Sequence, residues 1–163
     1  MPDKEPFLRR ADQSGFPLLF ARLVLGGTFI LMGVMKVFHP VEFLKQVRMY
    51  EMLPESTGVF LNSAAIVLPW VEIICGVVLI LGVYLRGASL LIALMLCVFT
   101  AAILVRTLGV MGAEGVSFFS VEFDCGCGAG VVVTYRKMLA NVGLFVLALM
   151  ALLSRSRRFC PLR

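Results

Sequence analysis

The chain has 163 residues, 60% of them hydrophobic and 15% charged, with a formal net charge of +5. Soluble globular domains run at about 45–50% apolar and about 25% charged, and one soluble domain of this size could not hide so much apolar surface. Lipid is therefore the expected solvent, and the basic residues flank apolar runs instead of forming one stripe, which argues against a nucleic-acid partner.

Crossing about 30 Å of hydrocarbon takes roughly 20 apolar residues in a helix. Residues 1–16 read as a short segment carrying Lys4, Arg9 and Arg10. A first span follows at about 17–38. The basic head could mimic a secretory leader, but the apolar run is too long for a leader core and no small-x-small cleavage signature follows, so the span is expected to be retained. Within it Arg22, Gly26, Phe29, Gly33 and Lys36 recur at alternating intervals of four and three and share one helix face. His39 and Pro40 close the span at its outer edge. A helix-ending polar residue is the ordinary reading of His39; a proton relay or quinone contact is the functional one.

Between the first two spans Val41, Leu44, Val47, Tyr50 and Met52 recur near helical spacing, with Glu42, Lys45, Gln46 and Arg48 among them. This predicts an amphipathic helix lying on the membrane surface, the alternative being a solvated connector.

The second span, about 60–81, places Asn62, Pro69, Glu72 and Gly76 nearly on one face. Charges inside a bilayer are costly and are usually paired or functional, and small residues on such faces let backbones approach. With both spans centred on the bilayer, Arg22 is the nearer axial partner for Glu72, and Lys36 is free to snorkel outward. Glu72 then either fixes helix register in a buried pair or acts as a proton carrier or polar ligand contact.

A third span is expected at about 87–105 and a fourth at about 138–153, each bounded by arginine. Cys75 and Cys97 lie among Leu, Ile and Val and read as small hydrophobes. Residues 154–163 form a basic tail in which Cys160 is a bystander thiol. The expected fold is thus an all-α membrane protein, a four-helix bundle over 17–153 with an interfacial helix between spans 1 and 2.

An even number of spans puts both termini on one side. That side carries Lys4, Arg9, Arg10, Arg22, Arg86, Arg155, Arg157, Arg158 and Arg163, against Lys36, Lys45, Arg48, Arg106, Arg136 and Lys137 opposite, a split of 9 to 6 of the 15 basic residues. The positive-inside rule then sets the termini in the cytoplasm and the loops at about 39–59 and 106–137 outside it.

The second outer loop contains Glu122-Phe123-Asp124-Cys125-Gly126-Cys127-Gly128-Ala129-Gly130. Its glycines give the backbone unusual freedom around two thiols. With one residue between them, the sulfurs of Cys125 and Cys127 can join only in a small ring that departs from relaxed disulfide geometry, and a strained disulfide is the better oxidant. Asp124 raises the thiolate pKa of Cys125, whereas Arg136 and Lys137, folded back, would lower it. On an oxidising face the pair suits thiol–disulfide exchange. A passive structural disulfide and a clamp for a soft ion such as Cu(I) are the alternatives.

The sequence R-x-x-x-G in the first span (Arg22 to Gly26), Gly33-x-x-Lys36 at its end, Leu68-Pro69 through Glu72 to Gly76 in the second, and the late Asp124-Cys-Gly-Cys-Gly128 resemble the DoxX/MauE superfamily over about residues 17–153. The cysteine loop is similar to that of the MauE branch, which often reads Cys-Gly-Cys-Phe-Gly; here alanine, not phenylalanine, follows Gly128. The resemblance implies a four-helix protein of a bacterial cytoplasmic membrane. It also implies association with a thioredoxin-like extracytoplasmic partner in the maturation of methylamine dehydrogenase, and a link to thiol redox and quinone-coupled chemistry. The expected site is therefore Cys125 and Cys127 as the exchanging thiols. Arg22, Lys36, His39, Glu72 and Asp124 are the binding or proton-relay groups, a membrane quinone the expected cofactor, and no resident metal is expected. Membership of a membrane complex or a homo-oligomer is compatible with this reading, as is a purely structural subunit.

Overall fold

The structure, a computed structural model of the chain, describes residues 16–49, 58–115, 117–124 and 131–154. Helix α1 spans Phe16–Phe38, α2 Pro40–Met49, α3 Gly58–Leu81, α4 Leu85–Glu114 and α5 Thr134–Leu153. Between α4 and α5 lie a 3-10 turn, Phe118–Ser120, and two short strands, β1 Glu122–Asp124 and β2 Val131–Val133. Among the described residues, four helices are long and apolar enough to cross a membrane: α1, α3 from Asn62, α4 to Ala113, and α5.

Burial runs opposite to that of a soluble bundle. Leu31, Ile66, Leu94, Val98 and Leu139 are exposed on the outer surface, while Arg22, Lys36, Glu72 and Asn141 are buried inside. Apolar side chains turned outward cost nothing in hydrocarbon, so close packing and polar pairing must hold the helices together. The apolar centre joins Leu25 and Phe29 of α1, Leu79 of α3, Ile92 and Leu96 of α4 and Ala148 of α5.

Helices α1 and α3 form one intimate antiparallel pair and α4 and α5 the other. Glycine sets the approach within the first pair. A Cβ on Gly26 would lie 2.7 Å from the Gly76 carbonyl oxygen, and one on Gly33 would lie 2.8 Å from that of Pro69. Backbone oxygens cannot yield, so any side chain there would push the helices apart.

Helix α4 runs nine residues beyond Val105, where the sequence reading ended its third span. Arg106 closes a hydropathy window but makes no demand on the helical hydrogen bonds. What ends the helix is Gly115, left-handed at φ 65°, whose N–H bonds to Met111 O. Helix α5 begins at Thr134, four residues before the expected Met138, because Thr134 N and Oγ1 both donate to Val121 O, at 3.1 and 3.0 Å. Between spans 1 and 2 a helix of ten residues is observed. Pro40 opens it, as its fixed φ and missing N–H allow. Phe43 is buried while Glu42, Lys45 and Arg48 are exposed; Tyr50 and Met52, included in the expected helix, lie outside the described residues.

Candidate functional site

The face predicted for α1 is the buried face: Arg22, Gly26, Phe29, Gly33 and Lys36 all point inward. Their partners differ from the expected ones. Glu72 pairs with Lys36, whose Nζ donates to Glu72 Oε1, and the two side chains are 1% and 3% exposed. Arg22 instead turns to the end of α3, donating from Nε to Leu79 O at 2.9 Å and from Nη2 to Ile80 O at 2.8 Å.

The reason is register. Gly26 faces Gly76 and Ile80, and Gly33 faces Pro69 and Ile73, so the level of Glu72 falls on α1 near residue 32. At 1.5 Å per residue that is about 6 Å from Lys36 and about 15 Å from Arg22. Two spans centred alike on the bilayer would bring Arg22 nearer to Glu72, whereas here α1 begins well below the end of α3. Helical side chains also lean toward their own N-terminus, so Lys36 reaches back to Glu72 instead of outward.

Arg22 has work of its own at that lower end. Gly82, at φ 77°, closes α3 with Gly82 N–H on Leu79 O and Val83 N–H on Val78 O. This leaves the Ile80 carbonyl to the guanidinium and sets a cation on the negative end of the helix. Gly82 is the residue that fits: a Cβ there would lie 2.3 Å from Arg22 Nη2.

Two aromatic rings complete the surroundings of Lys36. Its Nζ lies 5.0 Å from the centroid of Phe43 on α2 and 4.8 Å from that of Phe99 on α4. Ring faces attract an ammonium, most strongly where water is excluded. The site thus draws on α1, α2, α3 and α4: a carboxylate and two rings around one ammonium. Chemically it holds a proton between two buried groups at no net charge. Phe43 and Phe99 had not been singled out in the sequence. The available signals were that Phe43 stands seven residues after Lys36, two helical turns on, and that Phe99 is the single aromatic residue of α4.

The remaining expected residues lie elsewhere. The His39 side chain is exposed, with Nδ1 3.9 Å from Glu42 Oε2, and does not join the Lys36–Glu72 pair. Asp124 lies in β1, opposite Val131 in an antiparallel register that also sets Glu122 against Val133. Cys125 and Cys127 fall outside the described residues, but Asp124 and Val131, the residues flanking their segment, are thus held side by side. Among the described residues, no three His, Cys, Asp or Glu side chains gather to hold a metal ion. Cys75 is buried; Cys97 is exposed on the outer surface of α4.

A four-span bundle with a buried, aromatic-capped Lys–Glu pair, and with Cys-Gly-Cys between two paired strands of the connection from α4 to α5, defines a polytopic membrane protein with a polar centre. The chain belongs to the family of methylamine utilisation protein MauE, whose model matches residues 14–154. No curated protein and no solved structure matches it.

Proposed function

We propose that the protein is a membrane thiol–disulfide exchange protein of the bacterial cytoplasmic membrane, with both termini inside and the Cys125–Cys127 loop outside. It would serve a thioredoxin-like extracytoplasmic partner in maturing a periplasmic protein, in keeping with the family's part in methylamine utilisation. A thiolate of the reduced partner attacks one sulfur of the Cys125–Cys127 disulfide, forming a mixed disulfide and releasing the other cysteine as a thiol. The partner's second thiol then resolves the adduct, leaving the partner oxidised and Cys125 and Cys127 reduced. Reoxidation passes two electrons and two protons to a membrane quinone, which becomes a quinol.

The observation that supports this reading most directly is the Asp124–Val131 pairing, with Thr134 anchored on Val121 O. It ties both flanks of the dithiol segment to the start of α5, a rigid mount for two sulfurs that must present themselves to another protein.

The test is the pair of single variants, Cys125→Ser and Cys127→Ser. Both are expected to be inactive, and one is expected to retain a covalent adduct with a thioredoxin-fold protein on non-reducing gels: its remaining thiolate attacks the disulfide of the oxidised partner, and the second cysteine of this chain that would displace the partner is gone. A clamp for a soft metal would instead give no adduct, with Cu(I) retained by the reduced wild type and lost in both variants. An active double serine variant refutes the exchange mechanism.

A further inference from the structure

The second helix pair holds a polar device of its own. Asn141 on α5 is 4% exposed, and its Nδ2 donates to Thr100 Oγ1 on α4 at 3.1 Å. An amide can make two donor and two acceptor bonds. Among the described residues, this is the one side-chain hydrogen bond that Asn141 makes, and nothing donates to its Oδ1. Thr100 is the sixteenth of the thirty residues of α4 and Asn141 the eighth of the twenty of α5, about 10 Å of helix from the start of α5, so the pair lies inside both apolar spans. An unmet polar group in hydrocarbon is expensive, and holding two helices together requires only the bond to Thr100.

Asn141 and Thr100 are also the polar residues lining a groove of 310 Å³ between α4 and α5, walled otherwise by Cys97, Leu104, Val142 and Phe145 among others. Cys97, Leu104 and Val142 are exposed on the outer surface of the bundle, so the groove opens toward lipid. Its size falls at the low end of small-molecule sites, about 300–1,000 Å³, and its wall is almost wholly apolar, with Phe145 as its aromatic ring.

We infer that this groove binds a membrane-dissolved molecule with a ring hydroxyl, a phenol or hydroquinone, whose O–H donates to Asn141 Oδ1 while its body lies against Val142 and Phe145. An acyl chain would fill the groove but has no donor for the amide. The binding claim is independent of the cysteines. It deepens the proposed function in one respect, since the quinol that reading produces is a molecule of this class.

The experiment uses the intact protein in lipid nanodiscs with two matched radiolabelled probes, 4-decylphenol and decylbenzene, which differ by the hydroxyl alone. Wild type should bind the phenol about tenfold more tightly, the factor one neutral hydrogen bond supplies. Asn141→Leu should reduce the ratio to one while leaving decylbenzene binding unchanged, and Val142→Trp, which fills the groove from its exposed rim, should abolish saturable binding of both. Equal affinity of wild type for the two probes would show a groove for acyl chains and overturn the inference. So would a homodimer that Asn141→Leu dissociates, since a second copy would then be what meets the amide. Because no thiol takes part, these outcomes are separable from failure of the exchange mechanism: Cys125→Ser should bind both probes as wild type does.

Discussion

Replacing Glu72 by glutamine leaves the Lys36 ammonium in a site where both side chains are almost fully buried. Removing one partner of a buried pair costs about 3–5 kcal/mol, because the other charge stays desolvated. Phe43 and Phe99 remain over the ammonium and retain about 0.5–2 kcal/mol of attraction, so the net loss for Glu72→Gln should be about 2–4 kcal/mol. Lys36→Met should stand at the upper end of the range, since aromatic faces offer a stranded carboxylate nothing. With about 2–4 °C per kcal/mol for a chain of this length, the Glu72→Gln midpoint should fall by about 5–15 °C. The decisive variant carries both changes. A methionine beside a neutral amide strands no charge, and replacing a buried pair by neutral groups is often neutral or stabilising. The double variant should therefore recover most of the loss, with a coupling energy of about 2 kcal/mol or more. The assay is thermal unfolding of the four proteins in one detergent, with Arg22→Gln combined with Glu72→Gln as a control that should be additive, because Arg22 binds the carbonyls of Leu79 and Ile80. Additive losses in Lys36→Met with Glu72→Gln, or recovery in the Arg22 control, would refute this pairing.

Two further outcomes follow from packing and from charge. Gly76→Ala should destabilise the bundle, because its Cβ would lie 2.7 Å from Gly26 O; Gly143→Ala, with nothing within 4 Å, should be neutral or stabilising by up to about 1 kcal/mol, and matching signs in thermal unfolding would contradict the interface. In intact cells, after mild reduction, a membrane-impermeant thiol reagent should label Cys125 and Cys127 and spare Cys160; labelling of Cys160 alone would invert the orientation drawn from the 9-to-6 basic split.

How much of this was legible before the structure depended on whether a feature is local. The spans were readable because bilayer thickness imposes a length on any apolar run. So was the inward face of α1, since Arg22, Gly26, Phe29, Gly33 and Lys36 share it through spacing alone. The partner of Glu72 was not, because pairing depends on how far two helices slide past each other. That slide is set by contacts such as Gly33 on the Pro69 carbonyl, which no single segment encodes. Phe43 and Phe99 are distant in sequence from Glu72 and become neighbours of its partner only once α2 folds over α1 and α4 packs beside it. Asn141 and Thr100, forty-one residues apart, gave no sign of each other.

The polar contacts also explain how the two helix pairs become one bundle. Gly26, Gly33 and Gly76 bind α1 to α3, and the Asn141–Thr100 bond ties α5 to α4, but neither device crosses between the pairs. Phe99 does: it stands on α4 and lies over the ammonium of α1. Its neighbour Thr100 is the residue that holds Asn141, and Asn141 lies seven residues, about 10 Å of helix, from Thr134, where the hairpin flanking the cysteines is anchored on Val121. One short stretch of α4 therefore contacts the buried charge pair through Phe99 and, through Thr100, the helix whose first residue anchors the hairpin.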